Sequence, residues 1–82
     1  MSLEDRSGRI DRAALEHLWR QVADDIARDI DAGVLESGGK LPNEVELARQ
    51  YGVARLTARR AISELVGAGT LVVLRGRGTY VR

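Results

Sequence analysis

The chain has 82 residues, no cysteine, and 13 Lys/Arg against 12 Asp/Glu for a net charge of +1. That length holds one domain, which buries only about 60% of the surface its unfolded chain exposes. The composition excludes a disulfide framework and a thiolate zinc site, and no apolar run approaches the ~20 residues of a membrane span. The charge is unevenly placed. Residues 1–48 carry six Lys/Arg and eleven Asp/Glu, whereas residues 49–82 carry seven Arg and the single acid Glu64. Such polarity presents one positive face and hints at a polyanionic partner, although the two halves can also neutralise each other across helix contacts.

In chain order, residues 1–10 show no apolar periodicity. They are expected to be disordered, with no apolar core of a signal peptide, so the cytosol is the default compartment. Residues 11–82 form the domain. Asp11 can cap a long first helix whose stripe is Leu15, Leu18, Trp19, Val22, Ile26 and Ile30 at spacings of three and four. Asp24, Asp25, Arg28, Asp29 and Asp31 fall largely off that stripe, toward solvent. Gly33 stops the helix in the left-handed conformation, with Val34 and Leu35 tucking in behind it. Residues 36–39 form a turn, and Lys40 and Leu41 a brief extended piece before Pro42.

Asn43 followed by Glu46 is a capping-box pattern opening a second helix to about Tyr51, with Val45 or Leu47 and Ala48 buried. Gly52 breaks it. A third helix follows, over about residues 54–66. Ala58, Ala61, Ile62, Leu65 and Val66 share its inner face. Leu56, Arg59, Arg60 and Ser63 point the other way, with Arg55 near its start. Gly67 and Gly69 end it. Leu71 to Leu74 reads as a strand, Arg75-Gly76-Arg77-Gly78 as a hairpin tip, and Thr79 to Arg82 as the returning strand. The fold class is mainly α with a small antiparallel β-sheet: a three-helix winged helix-turn-helix with a C-terminal β-hairpin wing.

That layout points to double-stranded DNA. A short helix after a tight glycine turn fits the major groove. There Arg55, Arg59 and Arg60 can read guanine or hold phosphate, Thr57 can donate to phosphate, and Leu56 can touch a thymine methyl. The plainer alternative is a basic helix face paired to acids elsewhere in the chain. Arg75, Gly76 and Arg77 supply charge and close backbone approach at the wing, for the minor groove or phosphates. A nucleotide-phosphate loop is disfavoured because strand, not helix, follows these glycines. A plain turn with solvated arginines is the other alternative.

His17 stands alone and nucleates no metal site, the Asp cluster of the first helix lacks cation-loop spacing, and no catalytic set or cofactor motif is present. Trp19, Tyr51 and Tyr80 read as core or core-edge residues, too few for stacking on single strands. The reading is a DNA-binding module and not an enzyme. A winged helix serving protein contacts or dimerisation, with the acidic first helix as docking face, is the alternative.

Several stretches carry a family resemblance: Leu18-Trp19-Arg20-Gln21-Val22, Gly33-Val34-Leu35, Gly39-Lys40-Leu41-Pro42, Glu44-Val45-Glu46-Leu47-Ala48, Gly52-Val53-Ala54-Arg55, Thr57-Ala58-Arg59-Arg60-Ala61 and Gly76-Arg77-Gly78-Thr79-Tyr80-Val81. In these the chain resembles the N-terminal DNA-binding domain of GntR-family bacterial transcription regulators. The resemblance implies binding to a palindromic operator as a homodimer in the full-length protein. It implies repression relieved by a small effector, held in a C-terminal domain that would begin after Arg82. It implies DNA contacts at Arg55, Thr57 and Arg59 and, at the wing, at Arg75 and Gly76. Three positions depart from the pattern: Val45 where the family often has Arg, Ala54 where it has Ser or Thr, and Leu56 where a polar residue is common. A module alone contacts one half-site, so largely monomeric behaviour with weak, salt-sensitive binding is expected.

Overall fold

The computed structural model describes residues 5–82. Three helices, α1 (Leu18–Asp31), α2 (Glu44–Tyr51) and α3 (Arg55–Gly67), are followed by the strands β1 (Leu71–Leu74) and β2 (Gly78–Val81). α1 and α2 both pack on α3. Ala58 and Ala61 are fully buried on α3, where side chains this small let helices approach closely. Val22 and Ile26 of α1, Leu47 and Tyr51 of α2, and Leu71 and Val81 at the base of the hairpin complete the core. Burying each large aliphatic side chain among them contributes about 1.5–3 kcal/mol.

α2 starts as local chemistry requires. The Asn43 side chain accepts from the Glu46 backbone N–H at 2.8 Å, and Gly52 ends the helix at φ +66°. β1 and β2 pair antiparallel with Leu71 opposite Val81 and Leu74 opposite Gly78. Gly76 takes φ +75° at the third position of a turn closed by Arg77 N–H donating to the Leu74 carbonyl at 2.8 Å. Gly78, expected in the tip, is the first residue of β2. The extended piece at Lys40 joins the other edge of β2: Lys40 bridges Tyr80, and Leu41 N–H donates to the Thr79 carbonyl at 2.8 Å.

The N-terminal region departs from expectation. Residues 1–4 lie outside the described residues. Residues 5–10, expected to be disordered, hold a single 3₁₀ turn (Ser7–Arg9) and bury Arg6 and Ile10. Asp11 does not cap α1. It caps its own turn through Ala13 N–H, while α1 begins seven residues later. Leu15 therefore lies outside the helix and fully exposed. Val34 is also exposed, and of the α2 candidates Leu47 and Ala48 are buried and Val45 is not.

Asp25 and Asp29, expected toward solvent, turn inward. Arg6 Nη1 lies 3.1 Å from Asp25, 2.5 Å from Asp29 and 3.2 Å from the Tyr51 hydroxyl, and that hydroxyl donates to Asp25 at 2.5 Å. The buried guanidinium draws the carboxylates in, since a buried charge is tolerated only when paired and hydrogen-bonded. Burial pushes the Asp25 carboxyl up. The Tyr51 hydrogen bond and the Arg9 and Arg6 charges outweigh it and hold it below the ordinary range. Among the described residues, no helix is long and apolar enough to cross a membrane.

Candidate nucleic-acid interface

α3 exposes Arg55, Leu56, Arg59 and Arg60, with Thr57 half-buried. Leu56 is 69% exposed. Arg55 and Arg59 lie one helical turn apart, so they share a face. Both reach back across the turn to Glu44 at the start of α2. Arg55 Nε is 2.7 Å from Glu44 Oε1, while Arg59 Nε and Nη2 lie 3.0 Å and 2.9 Å from Oε2 and Oε1. The hydrogen bonds from Arg59 first, then Arg55, pull the Glu44 carboxyl from 4.5 down to about 2, so it stays ionised.

The arrangement orients both guanidiniums before any ligand arrives. Arg59 spends its Nε–Nη2 edge on Glu44. Its Nη1–Nη2 edge keeps the fork geometry that matches guanine O6/N7 or a phosphate.

Glu44 was no candidate on sequence grounds and stood only within one of the stretches that carry the family resemblance. It lies 11 and 15 positions from its partners, and only the packing of α2 on α3 brings them together. Basic residues spaced four apart on a helix after a capped acidic first turn were the available signal.

Arg60 does not join this cluster. Its guanidinium lies over the Trp19 ring of α1 at 4.6 Å, and its Nε is 2.8 Å from Glu64. Arg20 also approaches Trp19, at 5.1 Å, and exposed His17 stacks beside it. Trp19 is thus a core-edge residue with cations against its ring. No group of three or more His, Cys, Asp or Glu among the described residues is placed to hold a metal.

Arg75, Gly76 and Arg77 project together at the wing tip, all exposed. The Tyr80 hydroxyl donates to the Arg77 carbonyl at 3.2 Å, which ties the tip to β2. Gly78, at the tip end of β2, is favoured by its backbone. Its φ of +124° is one that side-chain-bearing residues rarely adopt, whereas the one close approach to a Cβ there, from the end of the Lys40 side chain, can move aside. Between the wing, Ile62 and the first turn of α2 an open groove of about 930 Å³ is lined by Lys40, Asn43, Glu44, Arg75 and Arg77 among others. Its basic lining is Lys40 with Arg75 and Arg77 of the tip, while α3 contributes Ile62.

A model of the gntR family of bacterial regulatory proteins matches residues 18–81. The chain is 42% identical over 72 residues to the "Probable fructoselysine utilization operon transcriptional repressor" of Escherichia coli K12, covering 88% of this chain and 30% of that protein. It thus spans less than a third of that relative's length. Two solved structures share its fold at 37% identity. One is YtrA from Sulfolobus acidocaldarius, a GntR-family transcription factor (TM-score 0.84; 89% of this chain, 77% of that one). The other is the AraR DNA-binding domain in complex with operator ORX1 (TM-score 0.77; 89% and 87%). The family consists of regulatory proteins, not enzymes. The chain belongs to the gntR family of bacterial regulatory proteins, as a winged-helix domain.

Proposed function

We propose that this domain binds double-stranded operator DNA sequence-specifically as part of a transcription regulator, a repressor by analogy with its relatives. α3 enters the major groove. Arg59 and Arg55 face bases, Leu56 meets a thymine methyl, and Thr57 reaches a phosphate. Arg60, held against Trp19 and Glu64, takes a flanking phosphate contact at most. The tip residues Arg75, Gly76 and Arg77 enter the minor groove or grip phosphates.

The observation that carries this reading is the pair of guanidiniums pre-oriented by Glu44 on the exposed face of α3. Its likeness to a domain solved with operator supports the same reading. In the full-length protein the module works as a homodimer on a palindromic site, in the cytoplasm, with a small effector bound by a further domain. A lone module meets one half-site and is largely monomeric.

The test is selection of bound sequences from random duplex DNA, then salt titration of the winner. Enrichment of a short half-site, a steep loss of affinity with salt and collapse in Arg59→Ala are expected. No enrichment, with the variant like wild type, would favour a winged helix serving protein contacts.

A further inference from the structure

We propose that residues 5–12, upstream of the stretch the family model matches, are a working part of the DNA-reading unit: a strap that caps α2 from outside and sets the helix-turn-helix angle. Arg12 is the positioning residue. The inference rests on the DNA-binding reading above.

A helix leaves its last carbonyls without intrahelical partners. At the end of α2, Gly52 and Val53 N–H turn back to the Arg49 and Ala48 carbonyls. The next ones are met by the strap. Arg6 N–H donates to the Gln50 carbonyl at 2.7 Å, and the Arg12 guanidinium donates through Nη2 to the Gly52 carbonyl. A cation at this end also complements the helix dipole.

The strap is itself held in place. Asp5 accepts from Ser7 N–H and Oγ, the Arg6 side chain is locked by Asp25, Asp29 and Tyr51, and Ile10 enters the core. Asp11 and Gln21 exchange hydrogen bonds, both at 2.8 Å, so the strap is tied to α1. It lies close over the turn: a Cβ on Gly52 would sit 3.1 Å from Ser7 Cβ and 3.3 Å from Arg12 Nη2.

Gly52 is the left-handed residue at which the chain swings from α2 to α3. Glu44 at the start of α2 fixes Arg55 and Arg59 on α3. The angle between the helices therefore decides where those two guanidiniums point. Arg12 grips the pivot. A recognition set tolerates only about 0.5 Å of play, so releasing that grip should blur base reading and spare charge attraction.

The experiment uses the whole 82-residue chain as wild type, Arg12→Ala and Arg12→Lys, each titrated with the selected duplex and with a scrambled duplex of equal length. Arg12 is exposed, so both variants should fold. Arg12→Ala should lose about tenfold on the selected duplex, the size of one hydrogen bond to a charged group, and little on the scrambled one. Its salt slope should not change, and Lys, which can still donate to the Gly52 carbonyl, should restore most of the loss.

Wild-type binding by Arg12→Ala would overturn the proposal. So would an equal loss on both duplexes with the salt slope reduced by about one, the mark of a direct phosphate contact. Hydrogen exchange without DNA gives a second reading. The Gly52 and Val53 amides should exchange faster in Arg12→Ala while the Ile26 amide does not. If wild type selects no duplex, the DNA-binding reading fails, and the exchange result alone decides whether Arg12 braces the turn. Unchanged protection would refute it.

Discussion

Arg59 on α3 grips Glu44 on α2 with two prongs, Nε to Oε2 at 3.0 Å and Nη2 to Oε1 at 2.9 Å. Arg55 adds a third bond to the same carboxylate. An acid at the centre of a surface proposed to face DNA costs attraction to phosphate. It repays that by removing rotamer freedom from two long side chains before binding. On the proposed reading, discrimination should gain and raw affinity lose.

Substitutions should separate those two effects. Arg59→Ala should cost about 1–3 kcal/mol on the selected site and relax preference at one base position. Arg59→Lys should not restore it, because a point charge cannot replace the fork. Glu44→Ala should raise affinity for scrambled DNA while lowering the ratio of selected to scrambled binding. Competition binding on both duplexes measures this, and a ratio that rises instead would count against the pre-orientation argument.

Acid should weaken the fold through two carboxylates. Glu44 titrates at about 2 in the folded chain against 4.5 as an ordinary glutamate, and Asp25 is also depressed. A depressed folded pKa means stability that is fully present above the unfolded value and lost as pH falls through the folded one. Thermal midpoints should hold above about pH 5 and drop between about pH 4.5 and 2. The Glu44 share is small, within about 1 kcal/mol, because its partners are solvent-exposed. Asp25→Asn should be far worse. It removes one of the carboxylates that meet the buried Arg6 guanidinium, costing about 3 kcal/mol at neutral pH. Melting curves of wild type, Glu44→Gln and Asp25→Asn across this range check both statements.

α3 begins without a side-chain cap, since Ala54 occupies the N-cap in an extended conformation. Ala54→Ser supplies the missing oxygen and should stabilise the domain by about 0.5–2 kcal/mol. Urea unfolding should show a higher midpoint with an unchanged slope. A lower midpoint would mean that the hydroxyl cannot reach the Thr57 or Leu56 amide.

The wing arginines should act through charge. Arg75→Ala and Arg77→Ala, each exposed at the tip, should leave stability within about 0.5 kcal/mol of wild type. Each should lower the salt slope of DNA binding by about one if it meets a phosphate. A loss confined to A·T-rich flanks, with little change of slope, would instead place the tip in the minor groove. Unaltered binding by the double variant would leave the wing without a DNA role.

What could be read in advance is local. Asn43 as a cap, Gly52 as a helix breaker, the Ala58/Ala61/Leu65 face of α3 and the LVVL strand all depend on neighbours within one turn or one hairpin, where spacing and backbone preference suffice. The exposed set Arg55, Leu56, Arg59, Arg75 and Arg77 followed from the same periodicities. Contacts that span the chain were hidden. Asp25 looked like one more solvated acid, yet Arg6, 19 positions away, and Tyr51, 26 away, make it a buried anchor. Glu44 drew no reading of its own, yet it holds both Arg55 and Arg59. Arg60 looked equivalent to Arg59, until the crossing of α1 over α3 set it against Trp19. Periodicity tells which way a side chain leaves its own helix. Only tertiary packing decides what stands there to meet it, and for long charged side chains that meeting determines whether they are buried, paired or left for DNA.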